Sequence, residues 1–401
     1  MDGRLKSIDF TVLMALGLLL LLGSPGLINA QFLPRVHVVE GSEIRLGMCG
    51  ATKGRVGFLG TAAKLGCEAS FFRVNQEGGI SGRKVVLIDY DDQNEPIEAV
   101  SNTEKLIGHD KVFGLLNYLG TSTARAVLPM VSESNIVFLG PLSGAEVFRQ
   151  PVQPLVFNTR PSYSEETELL VTHLIADLAV KKVALFRQDD SYGDAGRASA
   201  VEALQRRGLE LVAEGSYTRN SVRAQDALYH IAKAKPDAVL LFGTYKPCAD
   251  FIRGAKQLGL KNTVFCNVSS VGTEPLANYL GEAGGGVIVS QGVPSPYDGS
   301  LPLVHDYQRD TQALGSKDFT YVGLEAYLNG LVMLAALRGA GANLTEEGLL
   351  HSLENLDLDF KTLRIRFGPD NRQGNHQVFL TKIRQGKAMP IDKLDPLDYN
   401  R

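Results

Sequence analysis

Short apolar runs alternate with amphipathic stretches along this chain, and the alternation occurs twice. Residues 44–48, 84–89, 112–116 and 136–139 have the composition of buried strands. Between them lie a glycine-rich loop at 50–60 and helical spacings at 62–75, 96–107 and 122–132. A Pro-rich polar break at 150–164 interrupts the pattern, which then resumes. Helices are expected at 165–178, 193–207, 224–234 and 247–258, and strands at 182–186, 210–216, 238–242, 263–267 and 286–290. Such alternation specifies βαβ units around parallel sheets.

After a second Pro/Gly-rich break at 291–299 the chain has two more helices, 302–313 and 321–338, then strand-like segments at 363–367 and 376–383. This tail has too few strands for a third domain. Its helices are most economically used to complete the first sheet, and its last strands to complete the second. The expected fold is therefore α/β: two Rossmann-like lobes with parallel sheets, joined by a three-crossover hinge near residues 160, 293 and 367. The lobes are expected to comprise 43–160 plus 294–366, and 161–293 plus 367–395. Ligands of open α/β sheets bind at the carboxyl ends of strands, so the cleft between the lobes is the expected site.

Composition narrows the partners. Lys+Arg (41) nearly balances Asp+Glu (44), and no basic run is interleaved with aromatics, so nucleic acid is not an expected partner. Residues 1–30 stand apart: Arg4 and Lys6 precede an apolar run at 10–22, Gly23-Ser24-Pro25-Gly26 breaks it, and Leu27-Ile28-Asn29-Ala30 precedes Gln31. This reads as a cleaved secretory signal peptide rather than a membrane anchor, with export to the periplasm as a soluble protein. No cysteine follows the apolar run, which disfavours a lipid anchor. The even cysteine count suggests the pairs Cys49–Cys67 and Cys248–Cys266 in an exported chain, with four free buried thiols as the alternative. Without Cys-x-x-Cys or paired His, no metal is expected, and no cofactor.

Several segments together point to a family. Gly78-Gly79-Ile80-Ser81-Gly82-Arg83 followed by Asp89-Tyr90-Asp91-Asp92 is one; Gly120-Thr121-Ser122-Thr123-Ala124 and Pro141-Leu142-Ser143-Gly144-Ala145 are others. Asp189-Asp190-Ser191-Tyr192-Gly193, and Phe367-Gly368-Pro369 with Gly374, complete the set. In this order and spacing the chain resembles type I periplasmic substrate-binding proteins of ABC transporters, of the leucine/isoleucine/valine-binding kind, over about residues 43–385. The resemblance implies a protein that closes two lobes around a small solute and delivers it to an ABC permease in the inner membrane. The solute would be an amino acid, an amide or an organic acid, and a monomer is expected. A periplasmic sensor docking on a signalling protein would have the same cleft.

The resemblance assigns ligand contacts residue by residue. Thr121 and Ser122 would hold the ligand carboxylate, although their bare sequence reads as a helix N-cap. Ser143, Gly144 and Ala145 match the second anchor segment, with Gly144 where amino-acid binders tend to have Thr. Tyr192 and Tyr245 match ligand-covering tyrosines, though either could be an ordinary loop residue, and Leu59 matches the loop over the ligand side chain. Ser269 lies where amino-acid binders carry an acid for the ligand ammonium; residues 268–272 bear no charge. Either another carboxylate such as Asp190 serves, or the ligand lacks the amine; the second is the slightly favoured expectation. Asp89 to Asp92 is read as a capping turn rather than a cation site. Gly-x-Ser-x-Gly, Gly-x-x-x-x-Gly-Lys and His-Glu-x-x-His are absent, and Gly339-Ala340-Gly341 lacks a third glycine, so an enzyme is not expected.

Overall fold

A computed structural model describes residues 41–399. The signal-peptide reading of residues 1–30 falls outside them. Five strands, β1 (Glu43–Cys49), β2 (Lys84–Tyr90), β3 (Gly114–Leu116), β4 (Phe138–Leu139) and β5 (Val156–Phe157), form a parallel sheet of order β2-β1-β3-β4-β5. Helices α1 (Gly57–Gln76), α2 (Pro96–Gly108), α3 (Thr121–Ala126) and α4 (Leu128–Glu133) lie between these strands. A second parallel run follows α5 (Tyr163–Ala176): β6 (Val183–Gln188), β7 (Leu211–Tyr217), β8 (Ala238–Phe242), β9 (Val264–Asn267) and β10 (Ile288–Gln291). Its helices are α6 (Ser191–Gln205), α7 (Gln225–Lys233), α8 (Tyr245–Gln257) and α9 (Thr273–Leu280).

The chain then returns to the first sheet with α10 (Pro302–Ala313), α11 (Tyr321–Gly339) and α12 (Glu346–Glu354). A short hairpin, β11 (Asp357–Asp359) with β12 (Arg364–Arg366), stands apart from both large sheets. Strand β13 (Phe379–Arg384) then extends the second sheet antiparallel to β10, and β14 (Lys387–Ile391) pairs antiparallel with β13, giving the order β14-β13-β10-β9-β8-β6-β7. Where the chain passes between sheets, the first and third connections pair: Asn158 N–H donates to Arg372 C=O at 2.7 Å, and Gly374 N–H to Asn158 C=O at 2.8 Å.

Some elements differ from the sequence reading, for local reasons. The glycine-rich stretch at 50–60 is already helical from Gly57, because Val56, Leu59 and Ala63 share one buried face. The helix expected at 122–132 is two, α3 and α4, with Pro129 in the first turn of the second. Helices α9 and α12 and strand β14 were not read from the sequence.

Helix α11 is buried on nearly every side. It crosses α1 at backbone distance: a Cβ on Gly66 would lie 1.9 Å from the carbonyl oxygen of Gly323, and one on Gly330 would lie 1.8 Å from Ser70 Oγ. Asn329 on α11 ties this helix to the sheet, donating to Asn117 Oδ1 at 2.6 Å and to Gly140 C=O at 3.3 Å.

The four cysteines are free and buried, which corrects the expected disulfides. Strand alternation separates each pair. Cys49 faces the core containing Leu115 and Tyr118, while Cys67 on α1 packs with Ile44 and Leu46 on the opposite face of β1. Likewise Cys266 faces the side of Val264, whereas Cys248 packs with Phe265 on the other side of β9. Burial pushes all the thiols up in pKa, which keeps them protonated and unreactive.

Two outcomes follow from this packing. Gly66→Ala should lose about 1–3 kcal/mol in urea unfolding, whereas Gly108→Ala, whose Cβ meets nothing within 4 Å, should lose none; equal losses would refute the crossing as the cause. A thiol reagent should find all four cysteines only after denaturation, and a reductant should leave the melting temperature unchanged; a stoichiometry of zero in the denatured chain would restore the disulfides.

Candidate functional site

The carboxyl ends of both parallel sheets meet at one cavity. The first sheet contributes Thr121 and Ser122, which start α3 just after β3. The second contributes Asp190 and Tyr192 after β6, Thr244 after β8, and Ser269 and Ser270 after β9. Leu59 of α1 and Val322 of α11 form apolar wall, and Arg160 and Glu325 supply charge. The cavity holds about 50 Å³, room for a few waters and far below the roughly 300–1,000 Å³ of pockets around drug-sized ligands.

The small volume has a visible cause, because the two halves touch. Ser122 Oγ donates to Asp190 Oδ2 at 2.7 Å and lies 2.9 Å from Ser191 Oγ. The Tyr245 hydroxyl donates to the Arg55 carbonyl. At the rim, Arg219 reaches Glu95 at 2.9 Å, and Asn94 donates to Asn220 Oδ1 at 3.0 Å.

The residues singled out from sequence separate into three groups. Leu59, Thr121, Ser122, Tyr192 and Ser269 line the cavity. Ser143 lies behind it, its Oγ 2.7 Å from Thr121 Oγ1. Gly144 and Ala145 are packed away: a Cβ on Gly144 would come within 2.5 Å of the Tyr163 ring, which explains the glycine where a threonine was expected. Tyr245 acts across the cleft as a latch on Arg55 rather than as cavity wall. Tyr192 is buried with its hydroxyl unpartnered, and that burial raises its pKa well above the usual tyrosine value.

Asp190 has no capacity to spare. It caps α6 through Tyr192 N–H at 3.0 Å, and it accepts from Gln188 Nε2 at 2.8 Å and from Ser122, with Arg219 at 3.5 Å. Asp91 and Asp92 do the work of a turn, accepting from Thr52 N–H at 3.0 Å and Asn94 N–H at 2.8 Å respectively.

Sequence reasoning missed the charged floor. Arg160, in the first connection between sheets, is 3% exposed. Its Nη2 bonds Ser269 Oγ and lies 3.4 Å from Glu166 Oε1, while Nη1 lies 3.5 Å from Glu325 Oε1. Burial opposes its charge, but Glu325 and Glu166 outweigh that and raise its pKa. Glu166 comes from α5 and also accepts from Ser269 N–H at 2.8 Å and Ser290 Oγ at 2.6 Å. Glu325 comes from α11, so one guanidinium joins carboxylates carried by helices of the two sheets. Nearby, the fully enclosed Arg149 donates to the carbonyls of Ser143, Ala145, Arg160 and Pro161, fixing the connection itself. The signal that could have found Glu325 is a lone carboxylate within the mostly apolar 321–337 segment, since such a charge needs a buried partner.

The sequence profile of the Periplasmic binding protein family matches residues 43–388. The chain belongs to this family. Its members are substrate-binding proteins, not enzymes, and a solute-binding role follows for this chain. Among relatives, the Leu/Ile/Val/Thr-binding protein of Salmonella typhimurium is 23% identical over 262 residues, 65% of this chain and 71% of that one. A structure from Rhodopirellula baltica, described as a possible leucine/isoleucine/valine-binding protein, superposes with a TM-score of 0.83 at 28% identity, covering 87% of this chain and 96% of that one. A solute-binding protein from Rhodopseudomonas palustris in complex with benzoate superposes at 0.76 with 18% identity, over 88% and 99% of the two chains. The fold is thus that of type I periplasmic binding proteins. Among the described residues no helix is long and apolar enough to cross a membrane.

Arg160→Ala would strand two buried carboxylates. It should cost about 3–5 kcal/mol of stability in chemical unfolding; a loss under about 1 kcal/mol would mean that water replaces the guanidinium there.

Proposed function

We propose that this periplasmic binding protein captures a small carboxylate-bearing solute (an amino acid, an amide-bearing acid or an organic acid) and hands it to an ABC permease. The binding lobes are taken as 43–160 with 294–366 and 161–293 with 367–395, and the working location as the periplasm, where the chain acts as a monomer. The observation that carries this reading is the meeting of both sheets' carboxyl ends at one cavity whose wall holds hydroxyls and an unpartnered tyrosine. The Thr121 and Ser122 hydroxyls in the cavity wall provide donors for a carboxylate oxygen, with Ser143 bracing Thr121 from behind. The relatives agree on that group: the Salmonella protein is named for amino acids and the Rhodopseudomonas protein was solved with benzoate, and both ligand types carry a carboxylate.

Closure supplies the mechanism. The lobes open about the three connections, the solute enters, and its carboxylate takes up donors such as Ser122, which otherwise bonds across the cleft to Asp190. A ligand that bridges both lobes shifts the population toward the closed form in proportion to its preference for that form.

A thermal-shift screen of amino acids, amides and aromatic or aliphatic acids tests the reading. A true ligand at a hundred times its dissociation constant should add about 2.7 kcal/mol of stability, and Thr121→Val should reduce that gain. Absence of any stabilising solute would defeat the proposal.

A further inference from the structure

Away from the cavity, a compact polar cluster joins the two sheets at their edge strands. β2 ends the first sheet and β7 ends the second. Along the sheet order β2 stands four strands from β5, after which the chain first leaves that sheet, and β7 stands four from β10, after which the chain returns. At about 4.8 Å per strand each separation is about 19 Å. The turn after β2, Gln93-Asn94-Glu95, meets the turn after β7, Arg219-Asn220. Arg219 Nη2 donates to Glu95 Oε2 at 2.9 Å, and Asn220 Nδ2 donates to Glu95 Oε1 at 2.7 Å and to the Gln93 carbonyl at 3.3 Å. Asn94 Nδ2 donates in return to Asn220 Oδ1 at 3.0 Å.

Each turn is held in its shape from its own side of the cleft. Gln93 and Asn94 are consecutive left-handed residues, with φ of 52° and 61°, and Asn220 has φ of 57°. Such conformations are uncommon outside glycine and persist where the surroundings enforce them. Asp91 Oδ1 accepts from Thr52 N–H at 3.0 Å and from Gln93 N–H at 3.1 Å, and Asp92 Oδ1 accepts from Asn94 N–H at 2.8 Å. Asn102 on α2 donates to the Asp91 carbonyl at 3.0 Å. On the other side, Ser221 N–H donates to the Thr218 carbonyl at 3.0 Å and closes the 218–221 turn. The acidic run after β2 thus spends its carboxylates on presenting Asn94 and Glu95 to the opposite sheet.

The geometry points to these two turns as a clasp that sets how firmly the lobes stay closed, and with it the affinity for every solute alike, without touching the solute. This inference rests on the solute-capture reading and adds to it a closing contact outside the cavity. Neither Glu95 nor Asn220 lines that cavity. At about 19 Å from the connections, an opening rotation of about 10° parts the turns by about 3 Å, enough to break every bond between them. Bonds made in only one arrangement shift the population toward it, and the fraction in the binding-competent form scales every affinity by the same factor. Arg219 Nη1 also lies 3.5 Å from Asp190 Oδ2, which braces the cation of the clasp from the cavity side.

The test is the paired variant Glu95→Ala/Asn220→Ala in the intact chain, with Arg219 left in place because it reaches Asp190. L-Leucine, L-phenylalanine, L-glutamate and benzoate serve as calorimetric probes. Every probe that binds the wild type should bind the variant at least about fivefold more weakly, by one common factor, with the loss appearing in the dissociation rate. Glu95→Gln, which keeps shape and removes charge, should show a smaller loss of the same uniform kind, and it carries the comparison alone if the paired variant does not fold. A loss confined to one probe would place these residues in solute recognition and overturn the clasp. Unchanged affinities in a folded variant would overturn it too. If no probe binds the wild type, the solute-capture reading fails on this panel, and small-angle scattering of the free chains decides the clasp: a larger radius of gyration in the variant upholds it, and identical curves overturn it.

Discussion

The Arg160 guanidinium is the interaction on which the rest of this structure depends. It sits in the first connection between the sheets and reaches a carboxylate on α5 in one direction and one on α11 in the other. Neither helix could bury its acid alone, because an isolated buried carboxylate is costly. The connection therefore cannot be rearranged without exposing or neutralising both acids. Arg149 reinforces this point, using its donors on the carbonyls of that same connection. This buried cation lies at the cavity floor, beside the connections between the sheets.

Above this floor the site is made of strand ends. Parallel strands put their carboxyl ends on one edge of each sheet, and the helices that follow start there, so short loops such as 117–120 and 189–190 deliver hydroxyls and aromatic rings to a common space. Charge is distributed unevenly around this space. The polar serines after β9 are backed by Glu166, a saturated carboxylate, while the carboxylate that faces the cavity comes from the opposite lobe on α11.

Much of the architecture was legible in the sequence because the physics is local. A run such as 238–242 is apolar at every position, and only a strand covered on both faces uses such a run. Segment 302–313 begins with Pro302 at its first turn, where proline fits, and the structure starts α10 there. Helix α3 was legible as the loop after a strand, and with it Thr121 and Ser122. Helices α9 and α12 are only two turns long, and they pack against β14 and α11.

Residue types and their periodicity determined by themselves the α/β class, the two successive βα runs and the polar strand ends on which a site could be built. Tertiary structure alone decided which of those residues meet. Cys49 and Cys67 are close in sequence, yet a sheet stands between them because successive residues of β1 face opposite ways. Gly144 serves to admit the Tyr163 ring, and Tyr245 to latch the cleft. Arg160, Glu166 and Glu325 are spread over 165 positions of sequence. The charge balance of a buried site is a sum over neighbours in space, and sequence spacing carries no record of that sum.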